Sequence, residues 1–184
     1  TGDPDWDAAL AFAAKVALQC YLGPTDHLPH PSFIFARLPD RGYSRRGDGS
    51  DYNWQWDGQV ATEATVSLPQ IAGIAPELAK GVLRNYLAVQ AADGFIDWKP
   101  GLAGQRNKQL CIPLLATLAW GVYEQAEDPD FLAEVYPGLL RFLQVWFSRA
   151  NDRDKDGWPE WSSTLQSAFD EQPSFCRWTK WAQA

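Results

Sequence analysis

Positions 52–58 read YNWQWDG, which sets Trp54, Trp56 and Asp57 together directly after the polar, glycine-rich run SRRGDGSD. An indole can bury on the order of 200 Å² and is ordinarily core material. Inside a polar loop the same flat faces can instead stack on a flat ligand such as a sugar ring. Two other polar segments hold the remaining residues able to do chemistry: GFIDWKPGLAGQRNKQ from position 94 and NDRDKDGWPEWSSTLQSAFDEQPSF from position 151. The second of these opens with Asp152, Asp154, Asp156 and Gly157, the D-x-D-x-D-G spacing of a calcium loop, in which hard oxygen ligands alternate along the chain. Ser163 stands at the twelfth position in place of the bidentate Glu, so an EF-hand is not expected, and a solvated aspartate turn is the alternative reading.

Composition narrows the classes. The chain has 184 residues, 46% of them hydrophobic, enough for one domain with a core. Its net charge is −7 and its pI about 4.7, and Arg45–Arg46 is the longest basic run. Nucleic acid and anionic membrane surfaces are therefore not expected partners. Cys20, Cys111 and Cys176 are widely spaced and odd in number, which reads as buried thiols and not as a disulfide framework or a zinc site. His27 and His30, in the proline-rich run HLPHPS, read as cleft-edge or surface residues. No signal-like segment or run of about 18 apolar residues is present. Ten tryptophans are the compositional outlier, with stacking platforms and a tryptophan-rich core as the competing explanations.

Helical spacing supplies the scaffold for these loops. Asp3 and Pro4 open a first helix running to about Leu22. A second is expected from about Gly58 to Leu68, stopped by Pro69 and Gly73, and a third from Pro76 to about Ala92. A fourth should run from about Asn107 to Gln125 and a fifth from Pro129 to about Ala150, bent at Pro137, with a sixth beginning near Pro173. No period-2 strand competes. Long connections at about 23–57, 93–106 and 151–172 alternate with short ones, so the long loops should emerge at one end. The second and fourth helices are nearly free of charge and read as buried all round, whereas the first, third and fifth carry charges such as Glu77, Lys80 and Arg84 on one face. The expected architecture is all-α: a partial α/α toroid, half of an (α/α)₆ barrel, with about six helices and the long loops at one rim.

WQWDG, PGLAGQR and DGWPEW followed by QSAFDEQPSF resemble the (α/α)₆-barrel glycoside hydrolases of family 63 and their trehalase and amylo-1,6-glucosidase-like relatives. The likeness runs from about Tyr52 to Trp178. It implies an inverting α-glycosidase acting on α-linked glucosides or oligosaccharides, with Asp170 as the general acid. Trp56 and Asp57 take sugar-subsite roles by resemblance, and the matching blocks add Tyr52, Trp54, Gln105, Arg106, Trp161 and Gln166 as substrate contacts. The third block departs from the trehalase-like form at Gln166, where Glu is common, and at Ala168, where Gly is common. Some relatives close a D-x-N-x-N calcium loop with a nearby Glu, and Glu160 would match it, giving a structural calcium and no required cofactor.

Inverting glycosidases pair an acid with a base about 6.5–9.5 Å away. Phe169, Pro173 and Phe175 around Asp170, with the neighbouring charge of Glu171, could raise its pKa, though Asp170 could equally be a helix N-cap. In the resembling family the base comes from a later part of the barrel, and twelve helices complete the ring. Residues 1–184 are thus expected to be one partial catalytic domain, the N-terminal half, inactive alone, whose partners are the carbohydrate substrate and the missing half of the barrel. Glu63, Glu160 and Asp97 are base candidates only if the chain is complete. A noncatalytic carbohydrate-binding helical module and a plain helical scaffold are the alternatives.

Overall fold

The computed structural model describes residues 1–34, 58–102, 104–105, 109–162 and 166. Tyr52, Trp54, Trp56, Asp57, Arg106, Asp170 and the sixth helix expected near Pro173 lie outside the described residues, as does Cys176. Among the described residues the fold is helical, with five helices and one two-stranded ribbon. None of the helices is long and apolar enough to cross a membrane.

Helix α1 spans Pro4–Gln19, opened by the Asp3 carboxylate accepting from the backbone N–H of Asp5 and Trp6. It ends before Leu22 because Tyr21–Leu22 (β1) pairs antiparallel with Ser32–Phe33 (β2). No residue of α1 is buried. Helix α2 spans Ala61–Ala72 and runs through Pro69, where the sequence pattern predicts its end. A proline there removes one N–H and crowds the preceding turn. Gly121 on helix α4 (Leu115–Ala126) leaves room on its outer side, since a Cβ on Gly121 would sit 2.9 Å from Pro69 Cγ.

Helix α3 spans Pro76–Ala88 and helix α5 spans Pro129–Trp146, the latter capped by the Asp128 carboxylate. Both stop short of the expected ends. Beyond α3 the chain folds into a turn in which the Ala91 N–H donates to the Phe95 carbonyl. Helix α4 begins at Leu115, eight residues after the expected Asn107, because the residues before it are paired elsewhere. Cys111 N–H donates to the Ile96 carbonyl (2.8 Å), Trp98 N–H donates to the Gln109 carbonyl (2.7 Å), and Asp97 and Leu110 form an antiparallel bridge. These short pairings, with the β1–β2 ribbon, are extended structure that alternation did not signal.

Helix α2 packs on α3 and α4, and α5 packs on α3 and α4. Their shared core holds Leu68, Val82, Leu83, Tyr86, Leu115, Leu118, Val122, Phe131, Phe142 and Trp146. The burial expected of individual helices needs correction. Helices α2 and α4 each bury one face and leave apolar residues outside it, Val66 at 70% and Trp120 at 54% exposure. The charged α3 is the most enclosed, burying Ala79, Lys80, Val82, Leu83, Asn85 and Tyr86 among others. Its charges meet partners on and beside α5. Lys80 Nζ lies 2.6 Å from Asp128 and 2.8 Å from Glu77, and Arg84 lies 2.6 Å from Glu134. A charged stripe here marks a facing helix, not open solvent.

Candidate functional site

The described ends of the long loops meet one another. Gly58, the last residue of YNWQWDG, forms an antiparallel bridge with Gly101, and the Gln59 N–H donates to the Pro100 carbonyl at 2.8 Å. Only glycine fits at 58, since a Cβ would lie 2.7 Å from both the Pro100 oxygen and Lys99 Cγ. The Gln59 side chain is fully buried and locked to α3, donating to the Val82 carbonyl and accepting from Asn85 Nδ2. Asn85 in turn donates to the His30 and Pro31 carbonyls and accepts from the His30 N–H. The start of the first loop, its end and the second loop are thereby tied to one helix.

The third loop joins through Gln166. Its Nε2 donates to the Leu110 carbonyl at 3.1 Å, and its Oε1 accepts from the N–H and Oγ of Ser162, both at 2.7 Å. A glutamate at 166 could not make the donation to Leu110, which gives the amide a structural reason to stand there. Gln105 has a comparable role, accepting from the Asp97 N–H and donating to the Val89 carbonyl. Both amides were expected to touch substrate, and in the described residues both clamp backbone. Trp161 is 42% exposed, with its ring edge-on to the buried Trp146 at 5.2 Å between centroids. Trp146 Nε1 donates to the Cys111 carbonyl, so the indole rests on the second loop's anchor.

The three base candidates sit in different surroundings. Asp97 is buried, and its Oδ1 accepts from the Lys99 N–H. Glu160 is held by Arg153, whose Nε lies 2.7 Å from Oε2, and this bond keeps the carboxyl below its usual range. Glu63, in the first turn of α2, has an Oε2 that is buried without a hydrogen-bond partner among the described residues. Burial raises its pKa, against a smaller opposing pull from Lys99. The Tyr86 hydroxyl on α3 is also buried without a hydrogen-bond partner among the described residues, and burial, then Cys111 and Glu63, push its pKa well up. Lys99, almost fully buried, was not singled out from sequence; its position inside DWKPG, between a tryptophan and a loop proline, was the available signal.

Asp152, Asp154 and Asp156 come together, each offering a carboxylate oxygen within 4.8 Å of the others. Gly157, at φ 90°, turns the loop so that its N–H donates to Asp152 Oδ2. Asp152 Oδ1 is buried without a hydrogen-bond partner among the described residues, and three hard oxygens suit Ca²⁺. Glu160 is not one of this group and pairs with Arg153 instead. His27 and His30 join no such cluster among the described residues, and Cys20 and Cys111 are buried, as expected.

What the arrangement offers is a rigid junction of three loops at the start of α2, with the buried Asp97 and Lys99 and the half-buried Glu63 beside it. Comparison with known protein families and with characterised proteins finds no match to this chain.

Proposed function

We propose that the chain contributes part of the α/α toroid of an inverting α-glycosidase, with Asp170 as general acid and Trp54, Trp56 and Asp57 in the sugar subsite. The observation that supports this reading is the junction of the loops. Asp57 is covalently next to Gly58, Arg106 is next to Gln105, and Asp170 follows Gln166 by four residues, a span of at most about 14 Å of extended chain. Residues from all three segments are therefore tethered to one neighbourhood by Gly58–Gly101, Gln105–Asp97 and Gln166–Leu110. In this reading the acid protonates the leaving glycosidic oxygen, and the base that activates water comes from another part of the ring. The trio Asp152, Asp154 and Asp156 holds a structural Ca²⁺ that stiffens the third loop ahead of the acid.

Trp56→Ala tests the assignment. Loss of a stacking platform weakens oligosaccharide binding about tenfold or more while leaving the melting temperature unchanged. A fall in melting temperature with sugar binding intact would return Trp56 to the core and leave the helical-scaffold alternative standing.

A further inference from the structure

The last two turns of α5, with the loops on either side of them, enclose a cleft of about 670 Å³. Its wall includes Phe95, Gln109, Arg141, Gln144, Asn151 and Gln166. We propose that this cleft is a carbohydrate subsite that holds a short, uncharged oligosaccharide along the C-terminal end of α5. The choice of sugar as ligand rests on the glycosidase reading above; the location of the site does not.

The lining chemistry selects the ligand. Among the described residues the charged ones lining the cleft are Asp93 and Arg141, one of each sign, which concentrates charge of neither kind there. A phosphate or sulfate would want an excess of cations. The remaining polar wall is amide and hydroxyl: Gln109, Gln144, Asn151 and Gln166 with Ser148 and Ser162. Amides and hydroxyls both donate and accept, which matches sugar hydroxyls that do the same. The Phe95 ring and Val145 supply the apolar floor against which the C–H face of a sugar can lie. The volume lies within the roughly 300–1,000 Å³ usual for small-ligand pockets.

The wall is also built to stay in place. Arg141 Nη2 donates to Gln90 Oε1 at 3.0 Å, and Gln90 Nε2 bridges the Gly94 and Gly138 carbonyls. Asn151 Nδ2 donates to the Val145 carbonyl at 2.8 Å, and Gln166 is fixed between Ser162 and Leu110. Gln144 is exposed, without a hydrogen-bond partner among the described residues, and lines the cleft beside this fixed frame as a group able to meet a ligand. Pre-set partners lower the ordering cost of binding.

The test is a titration of the ¹⁵N-labelled chain with maltotriose, cellotriose and xylotriose, reading backbone and side-chain amide shifts. One of these sugars should move the signals of Gln144, Ser148 and Asn151. Gln144→Leu should weaken that binding about tenfold, the loss of one good polar contact, with the amide spectrum elsewhere unchanged. Ser148→Trp, which fills the cleft, should abolish it, and Trp56→Ala should leave the cleft shifts in place. No shift at these three residues with any of the sugars at the solubility limit overturns the proposal. Shifts confined to the neighbourhood of Trp56, untouched by Gln144→Leu, also overturn it while leaving the glycosidase reading intact. Cleft shifts beside undiminished turnover in Asp170→Asn would sustain the subsite and remove the acid.

Discussion

Two regions of this molecule bury polar groups and treat them in opposite ways. Along the wall between α3 and α5 the buried or half-buried charges are matched: Lys80 with Asp128 and Glu77, Arg84 with Glu134 and Glu77. Asn85, in the same helix, makes hydrogen bonds to His30, Pro31 and Gln59. At the start of α2, beside the junction of the loops, Glu63 Oε2 and the Tyr86 hydroxyl are buried with no hydrogen-bond partner among the described residues. A satisfied buried group helps hold a fold, whereas an unsatisfied one costs roughly 1–3 kcal/mol. The wall is therefore built for stability. The junction carries a cost that the rest of the fold must offset, which is the usual condition of a site held ready for something else.

Variants in the two regions should separate accordingly. Asp170→Asn, in the third loop, should lower turnover of an active preparation by about 10²–10⁴-fold, because the amide keeps the shape and loses the proton. Its melting temperature should stay with the parent. Undiminished turnover on a substrate with a poor leaving group would remove Asp170 from the chemistry. Asn85→Leu, which cuts the tie between α3 and the first loop, should do the reverse: about 3 kcal/mol of stability lost as the His30 N–H and its neighbours are stranded, read by denaturant unfolding. A variant as stable as the parent would mean that this network does not hold the fold.

The two regions should also respond to pH with opposite sign. In the wall, the hydrogen bond from Lys80 lowers the pKa of Glu77 and Asp128, and the one from Arg84 lowers that of Glu134. Their contribution is present above the ordinary carboxylate pKa and is lost as the pH falls through the lowered folded values. Glu63 is raised, by burial first. Its contribution is complete below the ordinary carboxylate value and is lost as the pH rises through the raised one. Glu63→Gln should thus melt higher than the parent at neutral pH, by the order of 1 kcal/mol, and the difference should close in acid. An equal offset at every pH would show that Glu63 does not titrate in the fold. The smallest effect is expected from millimolar Ca²⁺, a rise in melting temperature of a few degrees that Asp154→Ala abolishes. No rise, with magnesium and calcium indistinguishable, would leave the three aspartates a solvated turn.

Which of these features could be read from sequence depends on how local their cause is. The starts of α1 and α5 were legible because Asp3–Pro4 and Asp128–Pro129 carry the cap and the first helical residue within two positions. The start of α4 was not, since residues 109–111 are taken by a partner segment at 96–98 that no short window contains. Pro69 passed for a stop for the same kind of reason: the glycine that makes room for it lies on another helix. Charges on α3 suggested an outer face, and only the packing of α5 showed that they point at acids. In the candidate site the aspartate spacing was visible, whereas Gly58, expected to open the second helix, stands before it in a close pairing with the second loop. The burial of Lys99 and the stranded oxygen of Glu63 are tertiary facts.

The central claim is that this chain supplies the acid of an inverting glycosidase, and the anomer released first tests it most directly. Hydrolysis of an α-glucoside by an active preparation, followed by NMR of the anomeric protons before mutarotation, should show β-glucose first, with the signal gone in Asp170→Asn. Release of α-glucose first, or β-glucose at the parent rate from Asp170→Asn, would contradict the account.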